Sequence, residues 1–527
     1  MKLITLYLLL TFSYSHSSSS PVCTGISDND KLGCAPDKPN DEKVCADRGC
    51  CFAKLNKTGP PACYFPSNYV GYKVVESSSI HDGITMVLKR QRASGISNDI
   101  QYVKLEIKFL SDQMLRLKFT DKNYRRYEIP FPMLHTSNLI PNSIEYKVDL
   151  DGMDKLKITR KSTGKVIFET DLSKLIYSDQ FLQLQSSLPS KYVVGLGEHY
   201  APLKKYANWQ TIELWNHDQP PMKDKNLYGS HPFYLSVEDE STGESNGVLL
   251  FNSNAMDIVL QPKPAITWRT IGGILDYYVI LGSAPHYVVK DYIKLIGKPT
   301  MPPLWGLGFH LCRCCPSPNT LEEQINITQR TIDAKIPFDV QWNAKEFMVD
   351  FNDFTLDEKR FGGLPKFVDH LHDIGMHYIQ IKEPGVSGGE KPGTFPPYDD
   401  GIKMDIFVKN ASNKILIGYT WNKSGKTVYI DFTKPESTQY WTKLFVDFHK
   451  KTAFDGAWND MNEISNFKSK GSIYGCPKNS SLEHPPYLPG GSDITHNTIC
   501  MTAKHHIGVQ YNVHNLYPLY QAKATSE

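Results

Sequence analysis

The sequence predicts a multidomain chain in three parts: a small disulfide-rich module, an antiparallel β-sandwich, and the first half of a (β/α)8 barrel with two insertions. Three observations carry this prediction. Six of the eleven cysteines fall within residues 23–63. Short segments alternating apolar and polar residues run from about 70 to 300. After Pro302-Pro303, apolar strand-like runs alternate with amphipathic helices. The resulting boundaries are a leader at 1–20, the cysteine module at 21–68, the sandwich at 69–300 and the partial barrel at 301–527. A chain of 527 residues is long enough for several cores, and 40% apolar residues can fill them. A net charge of +2 and the lack of any polybasic block argue against a nucleic-acid partner.

The leader reads MKLITLYLLLTFSYSHSSSS. One basic residue precedes an apolar run from Leu3 to about Phe12, and a small, Ser-rich patch follows. That is the layout of a signal peptide, cleaved near Ser15–Ser20. The run is well short of the ~20 residues a spanning helix needs. No later segment is apolar enough to span, so no transmembrane anchor is expected. The route implied is the secretory pathway, ending in the lysosome or outside the cell. Asn-x-Ser/Thr sequons at Asn56, Asn326, Asn410, Asn422 and Asn479 are candidate glycan acceptors.

The cysteine module holds Cys23, Cys34, Cys45, Cys50, Cys51 and Cys63. So short a segment cannot bury enough core to fold unaided, so disulfides are expected. Spacing alone leaves the pairing open. A structural zinc site is a poor alternative, because the paired ligand spacing and a nearby His are missing.

In the sandwich region, YVKLEIKFL, MLRLKFT, IEYKVDL, KLKITR and KVIFET alternate with period two. Asp151-Gly152 and Ser162-Thr163-Gly164 separate some of them as hairpin turns. GVLLFNS, AMDIVLQ, AITWRT and ILDYYVILG follow, and many short strands at close spacing predict a sandwich. One loop is unusual. LWNHDQPPMKDKNLYGSHPFYL, residues 214–235, is rich in aromatics and carries Asp218.

In the barrel region, LWGLGFHLC, FDVQW, MHYIQI and FDGAW read as four strands. LEEQINITQRTIDAK, LPKFVDHLHDI and PESTQYWTKLFVDFHKK read as helices, and 500–526 is partly helical. This is the pattern of βα units around a parallel sheet. Insertions at about 384–432 and 466–499 follow the third and fourth strands, where such barrels build their active sites.

The chemistry concentrates in FDGAWNDMNEISNF, residues 454–467, which sets Asp455, Asp460 and Glu463 around Trp458 and Asn462. Asp460 lies just past a strand end, where a carboxylate can face the barrel mouth. Trp458 offers an apolar platform for a sugar ring. Retaining glycoside cleavage uses two carboxyls ~5–5.5 Å apart. The plain alternative is three ordinary loop acids.

WNDMNEISNF resembles the WxDMNE signature of glycoside hydrolase family 31, which includes retaining α-glucosidases. The likeness continues through GLGEH at 195–199, NLYGSHPFYL at 226–235, NSNAMDIVLQP at 252–262, GGILDYYV at 272–279, MPPLWGLGFHLCR at 301–313 and YNVHNLY at 511–517. The stretch from Cys34 to CYFP, with its RGCC pair, resembles a trefoil (P-type) module. The trefoil resemblance implies Cys23–Cys51, Cys34–Cys50 and Cys45–Cys63. The family resemblance implies hydrolysis of terminal α-linked glucose from malto-oligosaccharides or glycogen, with no cofactor and no metal. It makes Asp460 the nucleophile and Glu463 a supporting acid. Trp458, Met461, Ile381, Trp421 in GYTWN and Asp218 on the sandwich loop become substrate-binding residues. Cys476–Cys500 becomes a disulfide closing the second insertion.

Three positions depart from the family pattern. Cys314 replaces a pocket Trp, Ala344 an Asp that holds sugar hydroxyls, and Glu383 an Asp. About four of eight βα units are present, and the family's acid/base Asp would follow residue 527. The alternative reading is therefore an impaired member or fragment that binds carbohydrate or a protein partner. A weaker one is a trefoil contact module. Cys312, Cys314 and Cys315 follow strand spacing and are not expected to bind metal.

Overall fold

The computed structural model describes residues 20–54, 59–130, 133, 141, 143–152, 154–313, 319–468, 471–491 and 493–527. The leader up to residue 19, Asn56, Cys314 and Cys315 lie outside the described residues.

The trefoil is stapled by Cys23–Cys51, Cys34–Cys50 and Cys45–Cys63. Its short helix, Glu42–Asp47, starts at Asp41, whose side chain accepts from Val44 N at 2.9 Å. The module seats on the sandwich through polar and apolar contacts. Gln183 Nε2 donates to Gly33 O and Gln261 Nε2 to Lys31 O, each at 2.9 Å. Leu32 and Phe65 of the trefoil share one core with Ile176 and Phe181 of the sandwich. Disulfides of this kind are typical of proteins that fold in an oxidising compartment. Replacing Cys45 and Cys63 together by Ser should destabilise the module by ~2–5 kcal/mol. Limited proteolysis with mass mapping should then cut first within residues 23–66 and leave the sandwich intact; an unchanged cutting order would refute this.

The sandwich pairs a nine-stranded antiparallel sheet with a five-stranded one. Strand Tyr102–Ser111 shows why the pattern folds this way. Val103, Leu105 and Ile107 fall on one face and are fully buried. Leu184, Ile258, Leu260, Ile266 and Trp268 of the smaller sheet meet them in the same core. A three-stranded meander, Tyr146–Asp151, Lys155–Arg160 and Val166–Asp171, closes one flank of that core. Its second turn relies on Gly164 at φ +70°.

The barrel half contains, in order, β1 (His310–Cys312), α1 (Leu321–Asp333), β2 (Val340–Asn343), α2 (Leu364–Asp373), β3 (His377–Lys382), α3 (Pro435–His449), β4 (Gly456–Asn459) and α4 (Tyr517–Ser526). The strands form one parallel sheet in the order β1-β2-β3-β4. Gln341 and Asn343 of β2 turn outward to Thr328 and Gln324 of α1, each at 2.9 Å. Trp342 between them therefore faces the other way, where its ring lies 5.6 Å from Trp458 of β4.

One strand is shorter than the sequence suggests. LWGLGFHLC was expected to run continuously, but Leu304–Leu307 forms a single 3-10 turn after Pro303 and only His310–Cys312 is strand. Pro303 supplies no N–H and sits at the turn's start, while Gly308 N donates back to Trp305 O and closes it. Among the described residues no helix is long and apolar enough to cross a membrane.

Candidate active site

Three segments converge at the C-terminal ends of β3 and β4. The first is the turn after β4. Asp460 N donates to Lys382 O at 3.1 Å, which continues the β3–β4 ladder by one residue and sets Asp460 at the strand end. Met461 then takes φ +58°, a left-handed conformation uncommon for a non-glycine residue and frequent where function stores strain. Ser465 Oγ donates to Glu463 Oε2 at 2.9 Å, and Glu463 is buried.

The second segment is the sandwich loop. Asn497 Nδ2 donates to the Asp218 carbonyl at 3.2 Å, which ties this loop to the second insertion. Asp218, Asp460 and Glu463 lie within electrostatic reach of one another. Burial pushes the Asp460 carboxyl up, with Asp218 and Asp353 adding repulsion; the Met461 N–H and Lys345 work against the rise. Burial likewise pushes Glu463 up to about 7, helped by Asp218 and Asp460. Asp218 is raised by burial; the Ser465 hydroxyl opposes the rise, its single proton serving either Asp218 or Glu463. Crowded buried carboxyls with raised affinity for protons make this cluster a candidate functional site.

The third segment is the first insertion. Trp421 stands 51% exposed, with its ring 4.8 Å from Phe467 and nearly perpendicular to it. Trp458 is half-buried beside the acids, and Ile381 and Met461 are buried. The second insertion is closed by Cys476–Cys500 and anchors on the sandwich, where Tyr487 Oη donates to the buried Asp257 at 2.5 Å.

Two sequence expectations need correction. Asp455 was grouped with Asp460 and Glu463, but it precedes β4 at the opposite end of the sheet. There it accepts from Tyr378 N at 2.8 Å and pairs with His372 at 2.9 Å, a structural role. Asn422 was a candidate glycan acceptor, but it is buried and its Nδ2 donates to Thr427 Oγ1 at 2.6 Å. Burial leaves no room there for a glycan. Asn326 and Asn479 are exposed, and Asn410 is half-buried.

Sequence reasoning missed three neighbours of the acids. Tyr228 is 42% exposed, and Glu463, Asp218, Asp460 and Glu198 all act on its phenol. It rides on a turn clamped to GLGEH: Leu227 N donates to Glu198 O at 2.9 Å, and Gly229 N to Glu198 Oε2 at 3.1 Å. The aromatic density of that loop was the available signal. Lys345 and Asp353 carried no such signal.

Comparison with known proteins accounts for this architecture. The trefoil (P-type) domain matches residues 23–66, the glycosyl hydrolase 31 N-terminal galactose mutarotase-like domain matches 104–258, and the glycosyl hydrolases family 31 TIM-barrel domain matches 299–527. Mouse (Mus musculus) lysosomal alpha-glucosidase is 41% identical over 520 residues, 96% of this chain and 53% of that protein. Human (Homo sapiens) intestinal sucrase-isomaltase is 37% identical over 528 residues, 98% of this chain and 28% of that protein. The chain thus spans about half or less of the length of these relatives. Among solved structures, an ER glucosidase II heterodimeric complex shares the fold with a TM-score of 0.69 at 19% identity, covering 87% of this chain and 56% of that one. A Flavobacterium johnsoniae GH31 dextranase complexed with glucose does so with a TM-score of 0.67 at 20% identity, covering 87% and 53%. Two domain matches from one family cover most of the chain, and the relatives agree with them: this chain belongs to glycosyl hydrolase family 31.

Proposed function

We propose that this chain carries the nucleophile half of a retaining α-glucosidase acting on terminal α-linked glucose of malto-oligosaccharides or glycogen. The observation that carries the reading is the grouping of Asp460, Glu463 and Asp218 at the C-terminal end of β4, beneath the sandwich loop. The names of the relatives, α-glucosidases of the lysosome and intestine, support it. Asp460 attacks the anomeric carbon, and the bond to the leaving oxygen breaks as the glycosyl–Asp460 ester forms. A second carboxyl gives that oxygen its proton and later takes one from water. In the family pattern this second carboxyl lies outside the motifs matched here. Trp458, Met461 and Ile381 wall the sugar, Trp421 and Asp218 stand at its rim, and Glu463 orients the turn that carries Asp460. The setting is the secretory route, in the lysosome or outside the cell.

A second reading is carbohydrate binding without turnover. Ala344 favours it, because that buried position offers no acceptor to a sugar hydroxyl. Losing a charge-assisted hydrogen bond costs about 1.5–3 kcal/mol. The deciding experiment is hydrolysis of 4-nitrophenyl α-D-glucoside at pH 4.5 and 7, with the first-formed sugar anomer read by NMR. α-Glucose formed first supports the enzyme. No turnover, together with saturable maltose binding by calorimetry, supports the binding reading.

A further inference from the structure

The strand ends beside Asp460 bring together charges of both signs. Lys345 Nζ, just after β2, lies 2.5 Å from Glu383 Oε2, just after β3; their side chains are only 13% and 3% exposed. Glu383 N donates to Asp353 Oδ2 at 3.0 Å, so a second buried carboxyl adjoins the pair. Asp460 stands one strand further on, through its bond to Lys382 O. Glu383 Oε1 and Asp353 Oδ1 are buried and have no hydrogen-bond partner among the described residues.

This crowding is unfavourable to a carboxylate. Asp218 from the sandwich loop, Asp353 after β2, Glu383 after β3, Glu463 in the turn after β4 and the Tyr228 phenol are all within electrostatic reach of Asp460. Burial and like charge both favour the neutral acid, and a neutral acid is a poor nucleophile. Two lysines are near. Lys382 turns its ammonium into the helix layer, 5.2–5.8 Å from the rings of Phe347, Phe354, Phe448 and Phe454. Lys345 keeps its ammonium on the acid side, where it acts on Asp353, Glu383 and Asp460 together.

We propose that Lys345 is a positioning residue for the nucleophile: anchored on Glu383, its ammonium is the charge that keeps Asp460 ionised among its neighbouring carboxyls. The proposal rests on reading Asp460 as the nucleophile. It also gives the departure at Glu383 a purpose, because the longer acid is the anchor that the ammonium grips.

The test is the pH dependence of Asp460 modification by a water-soluble carbodiimide with excess amine, quantified by peptide mass mapping of the full chain. Lys345→Met should raise the midpoint for Asp460 by about one pH unit, through the loss of the favourable charge that Lys345 exerts on it. Lys345→Arg should restore it. Glu383→Gln, which weakens the anchor of the ammonium, should raise it in the same direction. A Lys345→Met midpoint equal to wild type, in a variant with an unchanged circular dichroism spectrum, overturns the proposal. If Lys345→Met does not fold, a Glu383→Gln midpoint that stays or falls overturns it. Because the readout is titration and not turnover, it separates the two ideas. A full shift upholds the coupling whether or not a glucoside is hydrolysed, whereas glucoside hydrolysis that persists in Asp460→Asn would remove the nucleophile reading and leave the coupling standing.

Discussion

Asp460→Asn should lower kcat/KM for an aryl α-glucoside by at least about 10³-fold while leaving the fold unchanged. The size follows from the chemistry. An amide has no lone pair basic enough to capture an anomeric carbon, so the covalent route closes altogether, whereas a lost contact merely weakens binding. The preserved fold follows from the geometry. The bond from residue 460 to Lys382 O is made by the backbone, and Asn has nearly the same shape. Removing a partly buried carboxyl from a crowd of carboxyls also relieves repulsion. Glu463→Gln is the control. Glu463 is buried and held by Ser465, so its loss should act through the turn and cost far less than loss of the nucleophile. Equal losses from both variants would move the nucleophile assignment away from Asp460.

How much of this was legible depended on how local the signal was. The trefoil cysteines, the period-two strands and the run around Asp460 each lie within a few dozen residues, and each appears where the sequence placed it. Single-residue context was harder to read. Asp455 and Asp460 look alike in the sequence, but four strand residues separate them, so they fall at opposite ends of the sheet. Asn422 satisfies the sequon rule, yet its amide closes a turn with Thr427. Leu304 and Leu307 look like strand residues, but they sit on a proline-started turn and are 86% and 71% exposed. The Lys345–Glu383 pair was the hardest to foresee. Its partners are 38 positions apart in sequence and meet only because β2 and β3 lie side by side. Nothing in AKEF or IKEP announces that their charges belong to one cluster.

Lys382→Met should stabilise the barrel half by about 2–3 kcal/mol near pH 7. Lys382 is fully buried on β3, pointing to the helix layer between four phenylalanine rings. Its ammonium has partial compensation: it donates to Ile381 O at 2.8 Å and to Gln380 Oε1 at 3.3 Å, and the rings offer their faces. That is not enough. Burial pushes the Lys382 ammonium down to about 8, with Asp353 opposing and Lys345 adding to the shift. A lysine with a folded-state value near 8 and an ordinary unfolded value binds fewer protons folded than unfolded between those limits. The wild-type chain should therefore gain stability as pH rises from about 8 towards the ordinary lysine range, and the cost is largest below it. Met has similar length, no charge, and a thioether that packs well against aromatic edges. The gain from Lys382→Met, measured as the denaturant midpoint of the barrel transition, should then shrink from pH 7 to pH 10.5. That trend distinguishes a relieved charge from better packing, which would give the same gain at both pH values. A constant gain would show that the rings and Asp353 already carry the charge without strain. No gain at all would make Lys382 part of the support for β3, and through Lys382 O part of what holds Asp460 in place.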